Sequence, residues 1–254
     1  MSDETEKTSA SSAIVLAILV IGIAIYAAAY GLQTLAWWEA HHWAAENAFL
    51  DDTPQPLTNV SAQAAKGTLL KAFNYQFTAP WTGKITQTPS LTVVAIRFEG
   101  GQTIVFYDPD TLIDSLRQMK SSSPLQYQKL TNVFSDHPLE SNYGLYEAVY
   151  GASPAQMSPI MSSREAIRMN ELLIWKLQFG IDLRGGLYSF KWGTNQGFQF
   201  GEPAKVPVAL RVFDDRNQQF RFIFTEAAGT NAKITQDDID KILQTIQPVP
   251  FSDR

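Results

Sequence analysis

Leu91–Asp108 reads LTVVAIRFEGGQTIVFYD. Two runs rich in β-branched and aromatic residues, Leu91–Glu99 and Gln102–Asp108, flank Gly100-Gly101. That pattern predicts a β-hairpin with a two-residue turn, because glycine alone adopts positive φ without steric cost. Working outward, Asp108-Pro109 fits a helix N-cap with proline in the first helical position, which predicts a helix from Asp110 to Lys120. Before the hairpin, Phe73–Phe77 (FNYQF) predicts a strand ahead of Ala79-Pro80-Trp81.

The downstream half alternates in blocks. Helices are expected over Asn142–Tyr150 and Ser162–Phe179, the second with Ala166, Met169, Leu173 and Leu177 at helical spacing. Strands follow at Leu187–Trp192 and Phe198–Phe200 around a turn-rich loop at 193–197. A further hairpin joins Val206–Phe213 to Gln219–Thr225 through Asp214-Asp215-Arg216-Asn217. A helix from Gln236 to Ile246 closes the chain, opened by the T-x-x-D capping pattern of Thr235 and Asp238. Adjacent hairpins with helices gathered in blocks argue for an α+β class, one antiparallel sandwich over residues 57–254. No internal repeat is evident.

Charge divides the chain differently. From Thr8 to Trp38 there is no charged residue, and Ala13–Trp38 reads AIVLAILVIGIAIYAAAYGLQTLAWW. A helix needs about 20 apolar residues to cross the hydrocarbon core, and this run exceeds that. Ala27-Ala28-Ala29 offers the A-x-A pattern of a cleaved signal peptide. The n-region argues against it, with Lys7 alone among three acids, and the apolar run continues past the cut. The expectation is one uncleaved transmembrane helix at 13–38, a cytoplasmic tail at 1–12, an interfacial helix and polar linker at 39–56, and an extracytoplasmic domain beyond. Orientation follows from Lys7 and the α-amino group on one flank, with no Lys or Arg on the other until Lys66. With no cysteine, and so no disulfide framework, the chain leans towards a bacterial inner membrane with the domain in the periplasm.

Where the apolar run ends, Trp37-Trp38-Glu39-Ala40-His41-His42-Trp43 holds three of six tryptophans and two of three histidines. As a helix it pairs Trp37 with His41 and Trp38 with His42, and it sets Glu39 and His42 at the E-x-x-H spacing of bundle metal sites. Tryptophan prefers the headgroup level, so Trp37, Trp38, His41, His42 and Trp43 are read as a membrane-interface collar. A histidine here would ligate a haem or chlorin only if a partner completed the pocket. Ala24/Ala28 and Ala27/Gly31 are small-xxx-small pairs that allow close helix packing in lipid, either with a second copy or with another membrane protein.

Chemistry is sparse. Residues 39–254 carry 22 acidic and 19 basic side chains, a balance unsuited to a phosphate backbone, and nucleic acid is not expected as a partner. Gly151-Ala152-Ser153-Pro154-Ala155 lacks the second glycine of G-x-S-x-G, and phosphate-loop signatures are missing. His137 in Ser135-Asp136-His137-Pro138 is the domain's lone histidine and reads as a loop residue. Asp108, Asp110 and Asp114 lack the glycine and glutamate of a calcium loop. Like Asp237, Asp238 and Asp240, they suit a helix N-terminus. Paired carboxylates for glycoside chemistry depend on spatial proximity and stay open. No cofactor or metal is expected. Trp81, Tyr188, Trp192 and Phe198 are candidate lining for a ligand cleft, with core packing as the competing role.

The order strand at Phe73–Phe77, hairpin at Leu91–Asp108, inserted helices, further strands and closing helix resembles the PsbP-like α/β/α sandwich over residues 57–250. That resemblance implies an extrinsic accessory subunit on a membrane complex. Gly180-Ile181-Asp182-Leu183-Arg184-Gly185-Gly186 resembles a segment of the SecD translocase subunit. There it follows the first membrane helix directly and precedes further spans, whereas here it reads as a helix stop at Gly180 and a turn at Gly185-Gly186. The expected role is therefore a non-catalytic accessory or scaffolding protein, with an anchored domain binding a small ligand or envelope polymer as the alternative and a hydrolase-type enzyme third.

Overall fold

The computed structural model describes residues 3–57, 66–90, 92–110, 120–133, 141–179, 185–203, 205–216, 218–230 and 233–249, with residues 3–18 as backbone alone. The chain is α+β, with mixed sheets behind a long N-terminal apolar helix. Helix α1 runs unbroken over Asp3–Glu46, and a short 3-10 turn follows at Ala48–Leu50. The strands are β1 (Gln55–Pro56), β2 (Thr68–Ala72), β3 (Tyr75–Ala79), β4 (Lys84–Pro89), β5 (Val93–Phe98) and β6 (Gln102–Asp110). After α2 (Pro124–Val133), α3 (Asn142–Gly151) and α4 (Ser163–Phe179) come β7 (Leu187–Trp192), β8 (Asn195–Phe200), β9 (Val208–Phe213) and β10 (Gln219–Glu226). Helix α5 (Gln236–Gln244) and β11 (Gln247–Pro248) close the described chain.

The main sheet has eight strands in the order β1-β7-β8-β9-β10-β6-β5-β4, and a small sheet has the order β11-β3-β2. Every pair is antiparallel except β1 with β7, so the expected antiparallel sandwich is in fact mixed at one edge. The parallel partner comes from Gln55–Pro56, inside the stretch expected to be a free linker. Both edge strands end in proline, Pro56 and Pro89, which withholds a ladder donor there.

Each face of the main sheet has its own core. On one, Phe220, Phe222 and Phe224 of β10 alternate inward with Phe98 and Phe106. Phe77 of the small sheet meets Phe222 edge-on at 5.3 Å, and Ile239, Ile242 and Leu243 of α5 fill the remainder. On the other, Phe198, Phe200 and Phe213 pack under Leu145, Val149 and Tyr150 of α3 and Ala166, Leu172 and Leu173 of α4, together with Ala36, Ala40 and Leu50 from the end of α1. The layers are thus helices, a large sheet, and a shared layer of small sheet and helix.

Several expected boundaries shift for local reasons. The β5–β6 turn takes three residues, because Phe98 lies opposite Gln102. Gly101 donates to the Phe98 carbonyl at 3.0 Å with φ +91°, a type I turn closed by a left-handed residue. Strand β6 continues through Pro109 instead of yielding to a helix. A register shift against β10 leaves one extra residue between Tyr107 and Asp110, and β5 has stopped pairing by then, so the missing proline donor is harmless. The helix expected over 110–120 otherwise lies outside the described residues. In FNYQF, Phe73 and Asn74 are the two-residue turn between β2 and β3, with Phe73 at φ +52°. Asn195-Gln196-Gly197, expected in a loop, belongs to β8, because Gly193-Thr194 alone make the turn.

Gly197 sits where a neighbouring strand crowds in. A Cβ there would lie 2.1 Å from the Arg211 carbonyl oxygen and 2.8 Å from Cζ of Phe190. Gly197→Ala is expected to destabilise by about 3 kcal/mol or more, lowering the thermal midpoint by roughly 6–12 °C for a domain of this size. Gly151→Ala, with nothing within 4 Å of the new carbon, is expected to stay within about 1 kcal/mol of the parent. Tryptophan-fluorescence melts of the detergent-solubilised chain read both.

Candidate functional site: the seam between the apolar helix and the domain

Helix α1 has two regimes. Its side chains from Leu19 to Tyr30 are all exposed, whereas from Gln33 onward one face turns to protein: Gln33, Ala36 and Ala40 are buried and Trp37, Trp43, Ala44 and Asn47 partly so. The spacing is three and four residues, one helical stripe. Ala36, Ala40 and Ala44 keep that stripe thin, which lets α1 approach α4 closely. At the start of the seam Gln33 Nε2 donates to Ser163 Oγ at 2.8 Å and to Ala29 O at 3.3 Å.

At the far end sits Lys176. Its side chain is fully buried, and Nζ donates to the carbonyl oxygens of Leu50 (3.0 Å), Asp52, Tyr150 (3.2 Å) and Ala152 (2.7 Å). An ammonium has three protons, so four oxygens at this range amount to a shared, saturated shell. Ser153 Oγ adds a bond to Asp51 Oδ1 at 3.3 Å, and Leu57 N donates to Ser189 O at 2.9 Å beside the β1–β7 pair. Residues 47–57 are therefore tied to the domain at four points. With Ser163 facing Gln33 and Lys176 facing Leu50, α1 and α4 run side by side in the same direction.

The tryptophan–histidine cluster divides across this seam. Trp37 and Trp43 turn partly inward, while Trp38, His41 and His42 are exposed. His41 lies 4.7 Å from Trp37 between ring centres, and its Nδ1–H donates to the Trp37 carbonyl at 2.8 Å. His42 stacks on Trp38 at 5.5 Å and 3° and faces Glu46 at 3.6 Å. The helix alone thus accounts for the contacts of both histidines, and Glu39 is exposed on its surface. Among the described residues no group of three or more His, Asp or Glu is placed to hold a metal ion.

Ala24, Ala27 and Ala28 lie exposed on the apolar stretch, and Gly31 is half-buried where the seam begins. The small residues that pack α1 within this chain are instead Ala36, Ala40 and Ala44, an i,i+4 series legible in the sequence. Lys176 had a signal too, since it falls three residues after Leu173 on the apolar face of α4.

Trp81, Tyr188, Trp192 and Phe198 do not line one cleft. Trp81 packs edge-on to Phe98 at 5.3 Å, and Trp192 sits with Phe190 on the small-sheet side. Phe198 lies on the opposite face, stacked on Tyr143 at 5.4 Å, and Tyr188 belongs to the parallel edge pair, opposite Gln55. A half-open groove of about 300 Å³ lies elsewhere, between α3 and α4, lined by residues that include Glu147, Gly151, Gln156, Arg168, Met169 and Leu172. His137 and Asp114 lie outside the described residues. Asp238 closes the capping box of α5 with Thr235, and Asp237 pairs with Lys241.

A second polar cluster pins the β9–β10 loop. Tyr75 OH donates to Asp214 Oδ2 at 2.9 Å, and the Arg216 guanidinium holds the same carboxylate while donating to the Tyr75 oxygen at 3.1 Å. Burial and the Asp214 charge push the Tyr75 phenol upward, so it acts as a donor and not as a base. The cluster carries no nucleophile.

Burial pushes the Lys176 ammonium down from 10.5 to about 8, against the pull of Asp52 and Asp51. A group that releases its proton near pH 8 in the fold but near 10.5 in the unfolded chain leaves the unfolded state with the extra proton between those values. Stability from this group therefore rises with pH across that window. Lys176→Met, which keeps the stem and removes the shared donor of these carbonyls, is expected to cost on the order of 3 kcal/mol at pH 7. The wild-type advantage should widen from pH 8 to pH 10 in thermal melts; equal midpoints at all pH values would dismiss the clasp.

Compared with known proteins, the chain matches no family model, no curated protein and no solved structure, so seam, clasp and groove are read on their own chemistry.

Proposed function

We propose that the chain is a single-pass membrane protein whose domain serves as a non-catalytic accessory or scaffolding subunit, held against a partner membrane complex. One observation carries the reading: from Gln33 to Asn47 the apolar helix is built into the domain's second core. An anchor that merely tethered a domain would need no such packing. Built in, it fixes the height and rotation of the domain relative to the bilayer, which is what presentation to a neighbour requires.

On this reading we set the membrane edge nearer the helix N-terminus than Trp38. A bilayer reaching Trp38 would place the exposed first turn of α4, with Arg164 and Glu165, at the edge of the hydrocarbon, where charged side chains are disfavoured. Ala13–Leu32 has the length that a helix needs to cross. We place the N-terminus in the cytoplasm of a bacterium and the domain in the periplasm, on the flanking charges already described. The free stretch of α1, with Ala24, Ala27, Ala28 and Gly31, then supplies the face for another membrane protein or a second copy.

The ligand reading has one observation in its favour, the groove between α3 and α4. Its volume lies at the low end for small-molecule sites, and it brings Glu147 and Arg168 to a partly apolar floor. The polar clusters described above stitch segments together and leave no poised nucleophile for hydrolysis.

Extraction in mild detergent followed by native purification is expected to recover the chain with one or more partners in stoichiometric amount. Recovery as a clean monomer under conditions that preserve other membrane assemblies would end the accessory reading.

A further inference from the structure

We propose that the rim of the domain around Ile160 and Ile167 docks on the lipid surface, adding a second point of membrane attachment beside the helix. The inference rests on the reading of Ala13–Leu32 as a span. It commits to lipid as occupant because the rim is continuous with the apolar helix where that helix meets the domain.

The placement follows from the Gln33–Ser163 bond, which sets the N-terminal end of α4 level with the point where α1 enters the domain. The chain reaches that end through Met157–Ser162. There Met161 N closes a turn onto Ser158 O at 3.2 Å and lifts Ile160 to the outside, where it is 68% exposed. Ile167, one turn into α4, is 47% exposed, and Leu35 beside the seam is 65% exposed. Single open aliphatics also occur elsewhere, as at Leu69 and Leu125; what marks this rim is that Ile160, Ile167 and Leu35 gather at the end of the domain where the apolar helix enters it.

Composition fits the same depth. From Ala152 to Ser163 the sequence ASPAQMSPIMSS has no charge, and the first charged residues after it, Arg164 and Glu165, are exposed. The headgroup layer is about 5–8 Å thick on each side, and a helical turn rises about 5.4 Å. Side chains within one turn of Gln33 therefore sit in that layer when the span ends at Leu32. Aliphatic groups buried there gain from leaving water, while charged neighbours keep contact with headgroups and solvent. Trp38, exposed one turn beyond Gln33, stands at the outer edge of the same layer.

The chain has no cysteine, so single-cysteine variants carry one fluorophore each without background. The full chain is reconstituted into vesicles of phosphatidylcholine and phosphatidylglycerol bearing lipids spin-labelled near the headgroup and, in a parallel preparation, on the acyl chain. Four variants are labelled: Ile160→Cys, Ile167→Cys, Ile21→Cys in the span, and Leu69→Cys on β2, an exposed control in the small-sheet layer on the other side of the main sheet. The proposal expects quenching at Ile160→Cys and Ile167→Cys at least threefold stronger than at Leu69→Cys. Quenching at Ile160→Cys no stronger than at Leu69→Cys, with Ile21→Cys quenched by acyl-chain labels, overturns the docking and leaves the span standing. It would assign the rim to a protein partner instead. Failure of quenching at Ile21→Cys as well overturns the span and the rim together.

Discussion

An ammonium taken out of water has to be surrounded by oxygen, and Lys176 Nζ collects its oxygens from separate stretches of chain. Leu50 and Asp52 belong to the segment leaving the long helix, while Tyr150 and Ala152 belong to the end of α3. The last carbonyls of a helix lack intrahelical donors and carry partial negative charge, so the Tyr150 end of α3 suits a cation. One side chain thereby ties the segment that follows the apolar helix, the end of α3 and α4 to one another. Remove it and the buried carbonyls it holds lose their shared donor, a penalty large against the few kcal/mol by which domains are stable.

The remainder of the seam follows from that anchorage. With its tail clamped and its middle thinned to alanine, α1 lies along α4 in the same direction, and its inward stripe joins the aromatic core of Phe198, Phe213, Tyr146 and Tyr150. The main sheet is consequently buried on both faces: this helical layer covers one side, and the small sheet with α5 covers the other. The central strands show it in their composition, since β8 and β9 are buried almost throughout instead of alternating with solvent. A helix so continuous with a core is not free to swing. That continuity is what supports the proposed role of holding one surface at a set distance from a membrane.

What was legible in the sequence was local. The β5–β6 hairpin, α3, α4 and the capping box of Thr235 and Asp238 each declare themselves within a dozen or so residues, through periodicity or a cap. What was missed depends on distant partners. Thr68–Ala72 and Lys84–Pro89 are polar or short, and become strands because Tyr75–Ala79 and Val93–Phe98 offer them ladders. Pro109 looked like a helix start, yet it is tolerated in a strand at a bulge where one neighbour has already ended. Gly197 looked like a loop residue, and only the carbonyl of Arg211 explains why β8 needs it. At the site, WWEAHHW stood out by residue type, but the quieter Ala36-Ala40-Ala44 series and Lys176 hold the seam. Residue rarity drew attention away from spacing.

The central claim is that α1 beyond Gln33 and the domain move as one body. Pulsed electron–electron resonance on the full chain in lipid nanodiscs tests it directly, with spin labels at Leu35→Cys on the helix and Leu69→Cys on the small sheet, both exposed positions. A rigid seam predicts a single narrow distance distribution that is the same in detergent and in bilayer. A broad or multimodal distribution, changing between the two environments, would mean that the helix is a tether and that the account built on the seam is wrong.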